Sequence, residues 1–395
     1  CAWLGGGNPA DVGGPRAWPV YGAKGVYASY LVLSDGDGNF TPAALEAGLG
    51  TKRFRRTYTS SLLDLDMDGD LDLLVVSDYA GVDLYHNDGT GHFSDANDTL
   101  RGDRHLFGMS AAFADYDLDG RLDLFVAGMG STTARRLEEL GLSRADRPEI
   151  SEMRMRMGFG NRLYVARDDG WHESAFAAQV ARTGWTWGTT AFDFDNDADP
   201  DLFAANGHQS GESSQDYCSN FWSHDLYDGT SGPDPALASL FAEESLGLRS
   251  GKESWDGYQK NHLLMNRAGK GFIDVAFLLG VADQFDSRSA VSADLDRDGR
   301  VDLLVTEHLG DGGEKLHIYR NLLDTDNAWI GVELREQGSG FASPVGASVT
   351  VRTAGRTQVG RVVTGETLMG QHATTLHFGL GTADRVETLE VRWLN

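Results

Sequence analysis

Four copies of a strand–acidic loop–strand unit, a strand–turn–strand unit trailing each copy, and 50 glycines in 395 residues predict an all-β chain. The expected architecture is a β-propeller of four-stranded blades with calcium-binding hairpin loops, plus a small C-terminal β module. Fixed-period self-similarity marks a repeat architecture, and four short strands per repeat is the composition of a propeller blade. Glycine is well above the usual share of about 7%, as many tight turns require.

The chain opens on Cys1-Ala2-Trp3-Leu4 followed by Gly5, Gly6 and Gly7. This resembles a mature bacterial lipoprotein, an acylated first cysteine and then a tether, over residues 1–27. An arbitrary chain boundary and a Cys1–Cys218 disulfide are the alternatives. Two cysteines exclude a disulfide scaffold. No apolar run is long enough to span a bilayer as a helix, so membrane contact is expected only through a lipid on Cys1. Tyr30–Phe40 then reads as the second half of a blade whose acidic loop is missing. Asp35 and Asp37 align with the glycine turn of later repeats and are read as turn residues.

The repeats occupy residues 28–325. Their acidic loops run Asp64–Asp72, Asp115–Asp123, Asp193–Asp201 and Asp294–Asp302. Aspartate stands at relative positions 1, 3, 5 and 9: Asp64, Asp66, Asp68 and Asp72; Asp115, Asp117, Asp119 and Asp123; Asp193, Asp195, Asp197 and Asp201; Asp294, Asp296, Asp298 and Asp302. Alternate residues of a tight turn point inward, so three carboxylates converge, a carbonyl near position 7 adds an oxygen and the last aspartate closes the cage. Six or more hard oxygen ligands favour Ca²⁺, about four ions in all, and without paired His or Cys zinc and copper do not fit these loops. Position 6 is Gly69, Gly120 and Gly299, but Ala198 in the third loop, where Pro200 also precedes the last ligand. Without metal the carboxylates repel one another, so the ions are expected to be structural.

Two insertions interrupt the repeats. Residues 131–157 have a helical composition, and Met153, Met155 and Met157 are read as packing residues. Residues 205–259 are long, polar and aromatic, and hold His208, Cys218, Trp222, His224 and Trp255. Trp222, His224 and Trp255 are candidate partner-binding residues, because long loops on a rigid scaffold carry recognition and aromatic side chains anchor interfaces. His208, Cys218 and His224 could ligate a transition metal, but their spacing matches no compact ligand pattern, and an ordered structural cysteine is the alternative reading.

Acidic residues outnumber basic ones by 59 to 34, for a net charge of −25, which excludes nucleic acid as a partner. No Gly-x-Ser-x-Gly, His-Glu-x-x-His or phosphate-binding loop is present.

The loops resemble the FG-GAP/VCBS repeats of integrin α-subunits and bacterial surface proteins, with Phe107-Gly108 and Trp187-Gly188 where the Phe-Gly of that name falls. Residues 326–395 resemble the ASPIC/UnbV module that follows such repeats, on Trp329–Leu334, Gly346–Val351, Leu376–Gly381 and Val386–Trp393. The module's Gly-Ser-Gly-Tyr-type turn is replaced by Gly365–Gln371. The resemblance implies an extracellular, periplasmic or envelope-surface protein that binds a protein or glycan partner. It is expected to be a scaffold and a lipoprotein subunit of a larger complex. The alternative is a secreted metal-dependent enzyme with its site on the propeller face near the insertions.

Overall fold

The computed structural model describes residues 2–4, 28–143, 145, 148–219, 221–222, 248, 250–310, 312–335 and 343–394. They form an all-β protein with few helices. A three-stranded sheet comes first: β1 (Ala2–Leu4), β2 (Tyr30–Ser34) and β3 (Phe40–Pro42), in that order. Residues 2–4 therefore belong to a sheet, where the sequence reads as tether: Ala2 pairs with Val32 and Leu4 with Tyr30. Cys1 lies outside the described residues.

Three four-stranded antiparallel meanders and a three-stranded one follow. The first is β4 (Arg56–Leu63), β5 (Asp72–Asp78), β6 (Gly81–Asn87) and β7 (Phe93–Asp95). After β8 (Leu100–Arg101), the second is β9 (Gly108–Ala114), β10 (Asp123–Gly128), β11 (Arg162–Arg167) and β12 (Gly170–Glu173), with β8 joining parallel to β12. The third is β13 (Thr186–Phe192), β14 (Asp201–Asn206), β15 (His262–Asn266) and β16 (Phe272–Asp274). The fourth is β17 (Ser287–Ala293), β18 (Asp302–His308) and β19 (Glu314–Tyr319).

In the first three meanders the second strand is buried along its whole length, as its unbroken apolar run demands when both faces of a sheet are covered. One apolar cluster joins Leu74 and Val76 to Leu124 and Val126, the next joins Phe125 and Leu163 to Leu202 and Leu264, and a third joins Phe203 and Leu263 to Leu303 and Val305. The meanders thus stack face to face in sequence order, and Leu31, Ala44 and Leu49 cover the near face of the first. Two of the three interfaces close on a glycine: a Cβ on Gly108 would stand 2.7 Å from Val76 Cγ1, and one on Gly188 would meet the backbone of Arg288 and Ala290. On the fourth meander Leu316 and Ile318 are 53% and 59% exposed, so among the described residues no further sheet covers that face.

The C-terminal module has two small sheets around a core of Val332, Val349, Val351, Val362 and Phe378. One pairs β20 (Ala328–Glu333) with β23 (Thr375–Gly381). The other orders β22 (Arg356–Arg361), β21 (Ser348–Thr353) and β24 (Thr388–Arg392). Between β22 and β23 the chain runs into the space enclosed by the first strands of the four meanders. Thr59 of β4 donates to the Thr367 carbonyl at 3.1 Å, Thr367 N–H donates to Ala111 O of β9 at 3.0 Å, and Ala290 N–H of β17 donates to Thr367 Oγ1 at 3.2 Å. His372 Nε2 is 2.8 Å from Thr190 Oγ1 of β13. One short segment therefore touches all four first strands, which must face a common axis.

Candidate metal loops and the face they share

Each acidic loop joins the first and second strands of a meander, and all four use the same backbone solution. Position 4 is left-handed in Met67, Leu118, Asn196 and Arg297, with φ of 67°, 61°, 60° and 60°. Position 6 is left-handed again: Gly69, Gly120 and Gly299 at 104°, 88° and 86°, and Ala198 at 73°. The third loop thus keeps the common turn despite lacking glycine, and Ala198 carries the strain of a left-handed L-residue.

The side chains play distinct parts. At position 1 the two oxygens of Asp115 accept from Asp119 N–H and Gly120 N–H at 2.9 and 2.8 Å, and Asp193 and Asp294 bond positions 5 and 6 of their loops in the same way. The position 9 aspartates reach outward to the third strand. Asp72 accepts from Asn87 N–H at 2.8 Å, Asp123 from Ala166 at 2.9 Å, Asp201 from Asn266 at 2.7 Å and Asp302 from Asn321 at 2.8 Å. They also accept from the loop's own backbone at Leu65, Tyr116, Phe194 and Leu295. Asn266 and Asn321 donate in turn to Tyr116 O and Phe194 O of the preceding loop, at 3.0 and 2.7 Å. These asparagines chain the loops together, and sequence reasoning missed them. Their recurrence at or just after the end of the third strand in three of the four repeats, as Asn87, Asn266 and Asn321, was the available signal.

The carboxylates converge at positions 1, 3 and 5 in the first and third loops and at positions 1, 3 and 9 in the second. Within each of the sets Asp64–Asp66–Asp68, Asp115–Asp117–Asp123 and Asp193–Asp195–Asp197, one oxygen per residue lies within 4.8 Å of the others. Asp64 Oδ1, Asp117 Oδ1 and Asp199 Oδ1 are buried without a hydrogen-bond partner. A buried, unpartnered carboxylate oxygen is costly, and a divalent cation with hard-oxygen preference fits this donor set. Burial, reinforced by neighbouring carboxylates, raises the acids: Asp115 to about 6, Asp123 to about 8 and Asp199 to about 7, with Asp193 and Asp201 well above the ordinary carboxylate range.

The loops differ in what already neutralises them. In the second, Arg167 bonds Asp117 at 2.5 Å and Asp119 at 2.9 Å. In the fourth, Arg320 lies 2.5 Å from Asp296 and Arg300 pairs with Asp298. The first has His86 3.4 Å from Asp66 and Arg392 3.8 Å from Asp64. The third holds five aspartates, Asp199 included, and among the described residues no cationic side chain pairs with any of them. Its departures at Ala198 and Pro200 marked it as the outlier in sequence, yet its geometry makes it the loop most in need of a cation.

The module sits over this loop face. Asn196 Oδ1 meets His377 Nε2 at 2.7 Å, Arg356 donates to Asp197 O at 2.8 Å, and Gly379 leaves no room for a Cβ beside Asp193 and Asn196. Between module and loops lies a cavity of about 580 Å³, whose walls include Asp115, Asp193, Asp294, Trp329, Glu366 and His372.

The other sequence candidates fare differently. Asp35 accepts from the N–H groups of Asp37 and Asn39 at 2.8 and 3.1 Å, the self-capped turn expected of it. His224 lies outside the described residues. Trp222 is only 5% exposed, packed with Phe107, Met109, Trp185 and Trp187 where the first strands end opposite the loops, and Trp255 is half-buried against the same cluster. Trp222 is therefore core rather than an exposed anchor, because the insertion folds back over the far ends of β9 and β13. Met157 packs there too, as its reading required. His208 lies tilted against Trp185 at 4.2 Å and stacked on Trp187 at 5.3 Å, and burial lowers it to about 3. It does not meet Cys218, which is free and buried, forms no disulfide, and faces Asp216 and Asp256 instead.

Repeated meanders with acidic hairpin loops, capped by a β module, define a repeat scaffold of the propeller type. Comparison with known families agrees: the family model described as FG-GAP-like repeat matches residues 64–126, spanning the first two loops, and the model described as ASPIC and UnbV matches residues 338–395. The chain thus carries an FG-GAP-like repeat and a C-terminal ASPIC/UnbV module. No curated protein matches it.

Proposed function

We propose that this chain is a calcium-stabilised propeller-type scaffold of the extracellular or envelope space, presenting a rigid surface to a protein partner. The observation that carries the calcium reading is the set of buried carboxylate oxygens left without partners in the first three loops, Asp64 Oδ1, Asp117 Oδ1 and Asp199 Oδ1. One Ca²⁺ per loop supplies the missing charge and ligand field. The segment around Thr367 then serves as the hub about which the meanders are arranged.

The scaffold reading is supported by the surface. Phe277 and Leu278 are 81% and 80% exposed beside Ile273 at 48%, on the outer edge of the third meander. Large apolar side chains grouped on so acidic a surface fit protein contact better than solvation. They replace Trp222 as the recognition candidate. Among the described residues no helix is long and apolar enough to cross a membrane.

Equilibrium dialysis with radioactive Ca²⁺ tests the metal assignment. Wild type should bind about four ions, and Asp195→Asn should remove the third-loop ion alone. Unchanged stoichiometry in that variant would remove the assignment.

A further inference from the structure

A second metal site, distant from the acidic loops, is written into the long insertion. Asp216 and Cys218 lie two residues apart, and Asp256 returns beside them from the far end of the insertion. One ligand atom from each lies within 4.8 Å of the other two. The backbone holds this arrangement. Asp216 Oδ1 accepts from Cys218 N–H at 2.7 Å, and Asp216 Oδ2 accepts from Asp256 N–H at 3.1 Å. Ser131 Oγ, fixed by capping the helix α1 (Thr132–Glu139), is 3.5 Å from Cys218 Sγ.

Asp256 is only 8% exposed, and its buried Oδ2 has no partner beyond the Cys218 thiol. Its other oxygen accepts from Gln259 at 3.1 Å. Among the described residues no Lys, Arg or His pairs with Asp216 or Asp256. A buried carboxylate, Asp256, thus stands beside a buried thiol and the more accessible Asp216 at the margin of an apolar, tryptophan-rich cluster, and its charge costs free energy there unless a positive ion joins it.

We propose that Asp216, Cys218 and Asp256 bind a borderline divalent transition ion of the Zn²⁺ class. The donor set chooses the ion. Ca²⁺ takes oxygen and not sulfur, whereas Cu(I) prefers thiolates and thioethers to carboxylates. Zn²⁺ and its spectroscopic substitute Co²⁺ accept both. Tetrahedral ligands about 2.0–2.3 Å from zinc stand roughly 3.3–3.8 Å apart, so a small inward shift of three side chains would supply three of the four positions and leave the fourth for water. Binding replaces the Cys218 S–H proton with the metal, and one proton is released per ion. The site is independent of the acidic loops and of the scaffold reading.

The test uses the full chain, stripped with chelator and returned to excess Ca²⁺ so that the loops are supplied. Titration with Co²⁺ should give a thiolate-to-cobalt charge-transfer band saturating at one equivalent. Cys218→Ser should abolish the band, Cys1→Ser should retain it, and Asp256→Asn should weaken Co²⁺ binding at least tenfold. In wild type, Zn²⁺ should slow the reaction of Cys218 with a thiol reagent, a readout that needs no variant to fold. A band that survives Cys218→Ser, or a Cys218 thiol equally reactive with and without Zn²⁺, overturns the site.

Discussion

Asp195 is where the calcium reading makes its most distinctive demand on a single residue. Burial and the Asp197 carboxylate raise its pKa, so without metal its charge opposes folding. Asp195→Asn should therefore act with opposite signs in two conditions. With chelator present the variant should unfold at higher urea than wild type. In saturating Ca²⁺ it should be less stable by about 1–3 kcal/mol, having lost a ligand. Urea titrations in both conditions check this, and the same sign in both would deny the loop its cation. Ala198 offers a second residue-scale test. At φ 73° it pays a left-handed cost that glycine avoids, so Ala198→Gly should raise stability by about 0.5–1 kcal/mol in Ca²⁺ despite glycine's greater entropy when unfolded. The aspartate spacing was legible because each loop repeats it and the same ligand geometry is needed four times. The partnership of Asp72, Asp123, Asp201 and Asp302 with third-strand amides was not, because it joins groups on either side of a sheet edge whose register the spacing does not reveal.

At the scale of elements, the segment between β22 and β23 holds together strands that are far apart in sequence. Thr367 is 1% exposed, sits at φ 64°, and exchanges hydrogen bonds with β4, β9 and β17. Replacing it by alanine leaves Ala290 N–H without its acceptor in a dry place, at a cost of about 1–3 kcal/mol. Thr367→Ala should accordingly lower the unfolding midpoint of meanders and module together, whereas destabilisation confined to the module would show that the segment is a passenger. Nothing in Gly365–Gln371 announced this role: the run has no strand periodicity, and its partners lie up to 308 residues away. The burial of Trp222 was hidden for a related reason. Serine, glycine and charged residues around it read as an exposed loop, while the apolar ends that cover it come from β13, earlier in the same repeat, and from β9 of the preceding repeat. The meanders themselves were readable because alternating apolar runs and glycine turns are local signals.

For the whole molecule, the raised carboxylates make stability depend on pH in a way that calcium reverses. Without metal, Asp115, Asp199 and Asp123 hold their protons up to about pH 6, 7 and 8, while the unfolded chain loses them near the ordinary carboxylate value of 3.8. Between those limits the folded state binds more protons, so metal-free stability should fall as pH rises from about 4 to about 8. In Ca²⁺ the carboxylates must be ionised to bind, protons compete with the ion, and stability should instead fall as pH drops. Unfolding curves at pH 5 and pH 8, with chelator and with Ca²⁺, should therefore cross.

The same opposition supplies the most direct test of the central claim, that cations between clustered carboxylates hold these hairpins shut. Thermal unfolding of the full chain at pH 8 should give a midpoint at least 10 °C lower in chelator than in millimolar Ca²⁺, equivalent to several kcal/mol of bound-ion stabilisation. Millimolar Mg²⁺ should restore little of the difference, being reluctant to dehydrate for such a cage. Identical midpoints in chelator and Ca²⁺ would contradict the claim.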